Sequence, residues 1–364
     1  MQKERITDKE AICVLIIFMI GSSLIIGIGG DAKNDAWIAG LVGIVMVLPM
    51  LLIYSIILSD FPGKDIFDIL NFLLGNVWGR IVSLLYIWYA FHLGALVLRN
   101  FGEFINAVAM PETPMLVPML CLGLLCIAAA KLGIEVIGRT TTYFLPIMLF
   151  VLLVVEFLAI PQFKLDYLKP IFENGLTPIL KGGFSSFSFP FAETVLFLGV
   201  FSSLQTGKSP FKAYFLGILF AGCIIIIVTI RNIGVLGNML GDFYFPSYEA
   251  VSMIRIGDFI ERIEVTVSFV FLFGVFIKAS ICLLVACKGI GKVFNLKDYR
   301  SIVIQTGLLM IFFAYTVYDN SVEMKYWAFK VYPYYAFPFQ VLLPLTVLIL
   351  GKIKLFNDRN GTKE

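Results

Sequence analysis

The sequence predicts an all-α polytopic membrane protein of about ten transmembrane helices. Composition is the first reason. Hydrophobic types make up 59% of the 364 residues and charged types only 15%, with a mean hydropathy of +0.92. A soluble domain carries about 25% charged residues, so this chain lacks the side chains to cover a hydrated surface. The same excess of apolar side chain excludes low-complexity disorder. Arrangement is the second reason: apolar runs of membrane length recur along the whole chain, joined by short polar links. A span needs about 20 apolar residues, so ten spans leave no room for a soluble domain of usual size. The expectation is a single integral membrane domain over 1–364.

The runs fall at roughly 11–30, 37–58, 80–104, 115–131, 134–160, 178–203, 213–235, 265–287, 300–318 and 334–350. The first follows a polar start containing Lys3, Arg5 and Lys9. It is too long for a signal-peptide core and has no small-residue cleavage site, so it is read as a span that stays in the protein. Ile66–Trp78 is shorter and mixed, and reads as an interfacial amphipathic helix ahead of the third span. The longest loop, about 236–264, carries Asp242, Glu249, Asp258, Glu261 and Glu264, and its polar residues suggest short surface helices.

Lys and Arg set the orientation. With the N-terminus inside, 17 of the 28 basic residues fall on inner segments and 10 on outer ones, leaving Lys278 within the eighth span. An even span count then puts both termini in the cytoplasm.

Two spans are interrupted near their centres. The first reads FMIGSSLIIGIGG, with Gly21, Ser22 and Ser23 near its midpoint and Gly27 beyond them. The sixth reads KGGFSSFSFPFAE, with Ser186, Phe187, Phe189 and Pro190 at the middle and Glu193 three residues on. Pro190 has no N–H and would clash with the carbonyl of Ser186, so the helix is expected to kink or open there. Opened backbone is tolerated at membrane depth only where it faces protein or a polar cavity. Either break alone is explained by close packing of small residues. Their positions change the weighing: the first and sixth of ten spans are matching members of two five-span halves, about 11–160 and 178–350. Interruptions at matching positions point to a midplane binding site in inverted-repeat membrane proteins. Gly21, Ser22, Ser23, Gly27, Ser186, Phe187, Phe189 and Glu193 are the expected ligand-binding residues.

Ionisable residues at depth extend this site. A central lysine costs about 2.5–3.5 kcal/mol to insert, so Lys278 should face the bundle interior and find a partner. Glu193 has two options, capping amides freed by the break or pairing with Lys278. On the third span Tyr89, His92, Arg99 and Glu103 share one stripe. That stripe is either a satisfied polar face, with Arg99 and Glu103 paired four residues apart, or the wall of an aqueous path. Glu156, near the outer end of the fifth span, is expected to snorkel, and Arg139 to anchor the opposite interface.

No catalytic constellation emerges. The six cysteines lie in or beside apolar runs without a C-x-x-C pair, and His92 is the single histidine. This excludes a histidine-built metal centre and limits general-base chemistry. The chain is therefore expected to need no cofactor, to hold no metal and to bind no nucleic acid.

Several motifs together bring a resemblance: ITDKEA at 6–11, DAW at 35–37, FPGKDIFDIL at 61–70, LGNVWGR at 74–80, MPETP at 110–114, LGIEVIGR at 132–139, LKPIFENG at 168–175 and the segment holding Glu193. In this order and spacing the chain resembles the B subunits of spore germinant receptors, the endospore germination permease family of the amino acid–polyamine–organocation superfamily. The resemblance implies a leucine-transporter-like 5+5 inverted repeat with broken helices 1 and 6. It further implies a germinant-binding subunit, with an amino acid as the germinant, A and C subunits as partners, and a place in the spore inner membrane. In that fold the eighth span meets the first at a sodium site, where the Lys278 ammonium would replace the ion. The competing reading is a proton-coupled amino acid transporter of the same fold, and fold alone does not separate the two.

Overall fold

The computed structural model describes residues 4–204, 209–254 and 262–361. Lys3, Lys208, Arg255, Asp258, Glu261 and Lys363, used above in the charge and loop readings, lie outside the described residues. The described chain is almost entirely helical, with one isolated backbone bridge between Ile6 and Leu204.

Thr7 starts α1 (Asp8–Ile26) with a capping box: its hydroxyl accepts from the Glu10 amide at 3.3 Å, and the Glu10 carboxylate accepts from the Thr7 amide at 2.7 Å. Both bonds satisfy amides that have no partner inside the helix. The helix runs unbroken through Gly21, Ser22 and Ser23, which corrects the expected midpoint opening. It ends at Gly27, whose φ of 80° is open only to a residue without a Cβ, and a 3₁₀ turn (Gly30–Asp35) leads into the next helix. Then come α2 (Ala36–Asp60), α3 (Ile66–Val108), α4 (Leu116–Leu132) and α5 (Ile134–Ala159). The amphipathic segment predicted before the third span is continuous with α3, set off from it only by non-helical backbone at Gly75.

The sixth span is α6 (Leu176–Ser186), followed by a π turn (Phe187–Phe191) and 3₁₀ helix (Ala192–Gly199). Next are α7 (Pro210–Leu236), the short α8 (Pro246–Ser252) in the long loop, α9 (Glu264–Val293) and α10 (Val303–Thr316). The last span is compound: α11 (Ser321–Tyr326), a π turn (Trp327–Val331), α12 (Tyr332–Phe337), a second π turn (Pro338–Leu342) and α13 (Leu343–Gly361). Seven described helical stretches are long and apolar enough to cross a membrane; α4, α10 and the interrupted α6 segment complete the ten predicted runs.

Burial shows which helices are central. Of the most apolar stretch of each helix, 83% is buried in α1 and 78% in α9, against 28% in α5. In lipid the apolar surface of α5 needs no cover, and helices associate through close packing instead. Gly21 of α1 lies against Gly274 of α9: a Cβ on Gly21 would come 2.6 Å from the Gly274 backbone.

Charges sort to the two ends. At one end Glu4 meets Lys288 at 3.2 Å and Arg300 at 2.8 Å, Arg300 reaches the Lys131 carbonyl, Lys292 pairs with Asp68 and Lys352 with Asp60. At the other end Lys330 pairs with Asp31, and the Phe172 amide donates to Asp35. The first group joins the segments assigned above to one side, the second those assigned to the other.

Candidate functional site

Pro190 supplies no amide, and Phe189 before it takes extended angles (φ −129°, ψ 117°), so the helical ladder of the sixth span fails there. The neighbouring spans bond to carbonyls of the interrupted segment. Gln340 donates to the Ser188 carbonyl at 2.8 Å, Tyr86 to that of Val195 at 2.7 Å and Tyr214 to that of Thr194 at 3.4 Å. The Ser188 hydroxyl returns a bond to the Gln340 side-chain oxygen at 3.0 Å, and Tyr54 donates to the Gln340 carbonyl at 2.5 Å.

Glu193 lies in the 3₁₀ helix just past this break and is fully buried, as is Lys278 of α9. Lys278 Nζ donates to Glu193 Oε2 at 2.5 Å, and the Tyr332 hydroxyl donates to Oε1 at 2.6 Å. The ammonium also faces the Phe189 ring at 4.8 Å and the Phe18 ring at 5.2 Å. A buried carboxylate is tolerable only with its charge matched and its oxygens bonded, and here both conditions are met. From Tyr332 the chain continues to Tyr89 at 3.2 Å, and from Tyr89 to Gln340 at 3.0 Å. One polar thread therefore links α9, the sixth-span break, α12 and α3.

An inner cavity of about 40 Å³ opens at this thread, bounded by Ile26, Phe189, Glu193, Trp327, Phe329 and Tyr332 among others. Beyond it is an outer cavity of about 870 Å³, lined by Gly27, Asp31, Lys33, Asn232, Tyr244 and Lys330 among others. Ile26 and Phe329 line both cavities and stand between them. Burial, with Glu103 nearby, pushes the Tyr244 phenol well above its ordinary range.

The residues predicted from sequence take different places. Phe189 and Glu193 line the inner cavity and Gly27 the outer one. Gly21 is a helix-crossing contact. Ser22 and Ser186 are buried with unpartnered hydroxyls, and Ser23 donates to the Met19 carbonyl at 2.6 Å. Phe187 stacks on Phe184. Neither Gly21, Ser22, Ser23, Ser186 nor Phe187 lines either cavity.

The α3 stripe divides. Tyr89 belongs to the polar thread. His92 stacks on Trp88 and hydrogen-bonds Tyr335 at 3.0 Å. Glu103 pairs with Arg99, which also donates to the Tyr315 carbonyl at 2.6 Å. Glu156 does not snorkel: it faces the buried Arg231 at 3.4 Å. Arg139 pairs with Glu135 on its own helix.

Sequence reasoning missed Tyr332 and Gln340. The signal was present, since Gln340 is a lone amide in an apolar run and therefore needs a buried partner. Tyr332→Phe keeps the ring and removes one donor from Glu193. A bond to a charged group contributes about 1.5–3 kcal/mol, so the purified variant is expected to lose stability of that order and to melt at a lower temperature. An unchanged melting temperature would show that the Tyr332 bond contributes nothing.

The described bundle is helical throughout, with its sixth span interrupted beside a buried ion pair, and its overall fold is that of solved transporters. MHP1, a nucleobase-cation-symport-1 family transporter solved closed with bromovinylhydantoin bound, matches with a TM-score of 0.66 at 13% identity, over 96% of this chain and 91% of its own. MhsT, solved in complex with L-phenylalanine, matches with a TM-score of 0.65 at 11% identity, over 96% and 99%. The chain belongs to the spore germination protein family, whose profile matches residues 5–322. It is 30% identical over 360 residues to spore germination protein KB of Bacillus subtilis (strain 168), covering 96% of this chain and 95% of the relative. It is 25% identical over 275 residues to spore germination protein XB of Bacillus anthracis, covering 66% and 74%. This is a germination-related, multi-pass membrane protein with the fold of solved transporters.

Proposed function

We propose that this chain is the germinant-binding subunit of a spore nutrient receptor, that its germinant is a small amino acid, and that it signals through A and C partner subunits. The observation that carries the reading is the Glu193–Lys278 pair at the sixth-span break, beside a cavity of about 40 Å³. A helix break whose polar groups are satisfied by protein beside a cavity supports a midplane binding site. MhsT, of the same fold, was solved with an amino acid bound, which supports the ligand class.

We place the chain in the spore inner membrane. The end holding Glu4, Lys288, Lys292 and Arg300 carries the larger basic share and is assigned to the cytoplasm with both termini. The two halves, about 11–160 and 178–350, are read as inverted pseudo-repeats.

A receptor needs its ligand to bind one conformation better than another. Moving a switch from 1:99 to 99:1 takes about 5.5 kcal/mol of differential binding, which a bound ligand and partner subunits can share. Saturable amino acid binding is therefore expected for the purified chain, with little uptake of the same labelled amino acid in reconstituted vesicles, with or without a proton gradient. The second reading, a proton-coupled amino acid transporter, has the solved transporters of this fold in its favour; gradient-driven accumulation by the chain alone would establish it and reject the receptor-only reading.

A further inference from the structure

The inner cavity holds one charged side chain, Glu193, and the rest of its lining is apolar or aromatic apart from Asn100 and the two tyrosine hydroxyls. Three features there favour a cation. The carboxylate is the first. The second is the carbonyl end of α1 at Ile26, the partly negative pole of a helix with no basic residue in its last turn. The third is the set of aromatic faces offered by Phe189, Trp327 and Tyr332.

Lys278 already exploits this environment from the opposite side. Its ammonium bonds Glu193 at 2.5 Å and lies 4.8 Å from the same Phe189 ring that lines the cavity. Glu193 and Phe189 thus lie between a tethered ammonium and the cavity, with the carboxylate itself fully covered as long as Lys278 and the lining rings stay in place. An ionised carboxylate offers about four lone-pair sites, and the structure uses one for Lys278 and one for Tyr332. Lone pairs remain on Glu193 for a second ammonium, which must displace what covers the carboxylate and is opposed by the charge of the first.

We propose that the group this chain recognises is a primary ammonium, that Glu193 receives it, and that Lys278 is its built-in stand-in, yielding part of the carboxylate when the ligand arrives. This rests on the germinant-binding reading and names the chemistry of its ligand. The occupant is small: a water needs about 10–15 Å³ of such volume, so about 40 Å³ takes a short apolar group beside the ammonium. A ligand presenting a carboxylate here would meet Glu193 charge to charge.

The test uses the full chain in lipid nanodiscs and half-ligands of one shape: isobutylamine, isobutyrate, and valine, which carries both groups. Isobutylamine and valine are expected to raise the thermal midpoint, and isobutyrate to leave it unchanged. Lys278→Met removes the competitor and should tighten isobutylamine binding at least tenfold. The double variant Glu193→Gln/Lys278→Met buries no lone charge and should fold yet lose isobutylamine binding more than tenfold. It decides the matter if the single variant does not fold. Stabilisation by isobutyrate in place of isobutylamine would overturn the ammonium assignment and leave the ligand-binding reading standing. Unchanged isobutylamine affinity in the double variant would overturn the role of Glu193. No shift with isobutylamine, isobutyrate or any of the twenty amino acids would overturn both this inference and the receptor reading.

Discussion

Lys278→Ala is expected to destabilise the protein by about 3–5 kcal/mol, because it leaves the Glu193 carboxylate buried without a counter-charge. Glu193→Gln should cost less: the amide oxygen can still accept from Tyr332, but the Lys278 ammonium is left unmatched. The informative species is the double variant Lys278→Met/Glu193→Gln. Replacing a buried ion pair by neutral side chains of similar volume is often near neutral, so most of the loss should return when both partners go. Residues in direct contact show coupling of about 0.5–3 kcal/mol in a double-mutant cycle, and this pair should lie at the upper end. Thermal melts of the four proteins in one lipid composition measure it. Additive losses would show that the contact contributes no coupling and that Lys278 matters for its own packing alone.

Gly21→Leu is expected to remove the folded protein from the membrane and not merely to blunt ligand response. The Gly21 position faces the Gly274 backbone, and a Cβ on Gly274 would sit 2.1 Å from the Gly21 Cα. Neither helix can give way cheaply, since α1 and α9 are the two most buried spans. Overpacking a tight core costs about 1–3 kcal/mol where side chains can shift; here the obstacle is backbone, so the cost should exceed that range. Abundance in the membrane fraction and the melting temperature of any recovered protein would check it. Wild-type abundance with lost ligand response would instead place Gly21 in the site.

The same glycine shows what sequence could and could not reveal. Span positions were legible because lipid imposes long apolar runs, and Pro190 located the second break because a missing amide is a local property. Gly21 and Ser22 looked like a break in α1, yet a glycine that lets two helices touch and a glycine that ends a helix are the same letter. Only the identity of the facing residue, Gly274, separates them, and that residue lies more than 250 positions away. The true end at Gly27 depends on a backbone angle that composition does not display. On α3 the helical stripe grouped Tyr89, His92 and Glu103 correctly on one face. Their division followed from unlike neighbours: the polar thread for Tyr89, an aromatic cluster for His92, Arg99 for Glu103. Tyr332 and Gln340 were the costliest omissions, because attention to charged residues passed over two uncharged ones that the break needs.

The two π turns of the last span have a consequence for comparing relatives. A π turn accommodates one more residue than the α-helical turn it replaces, so every side chain beyond it is rotated by about 100° from uninterrupted α-helical register. The first turn, Trp327–Val331, immediately precedes Tyr332, and the second, Pro338–Leu342, contains Gln340. A relative lacking one residue in the first turn could keep an unbroken apolar span and still swing its counterpart of Tyr332 away from Glu193. Alignments that forbid gaps inside membrane helices would pair such residues by position while the proteins place them on different faces. Single-residue deletions within 327–331 are therefore the insertions and deletions to look for when two family members of similar length respond to different nutrients.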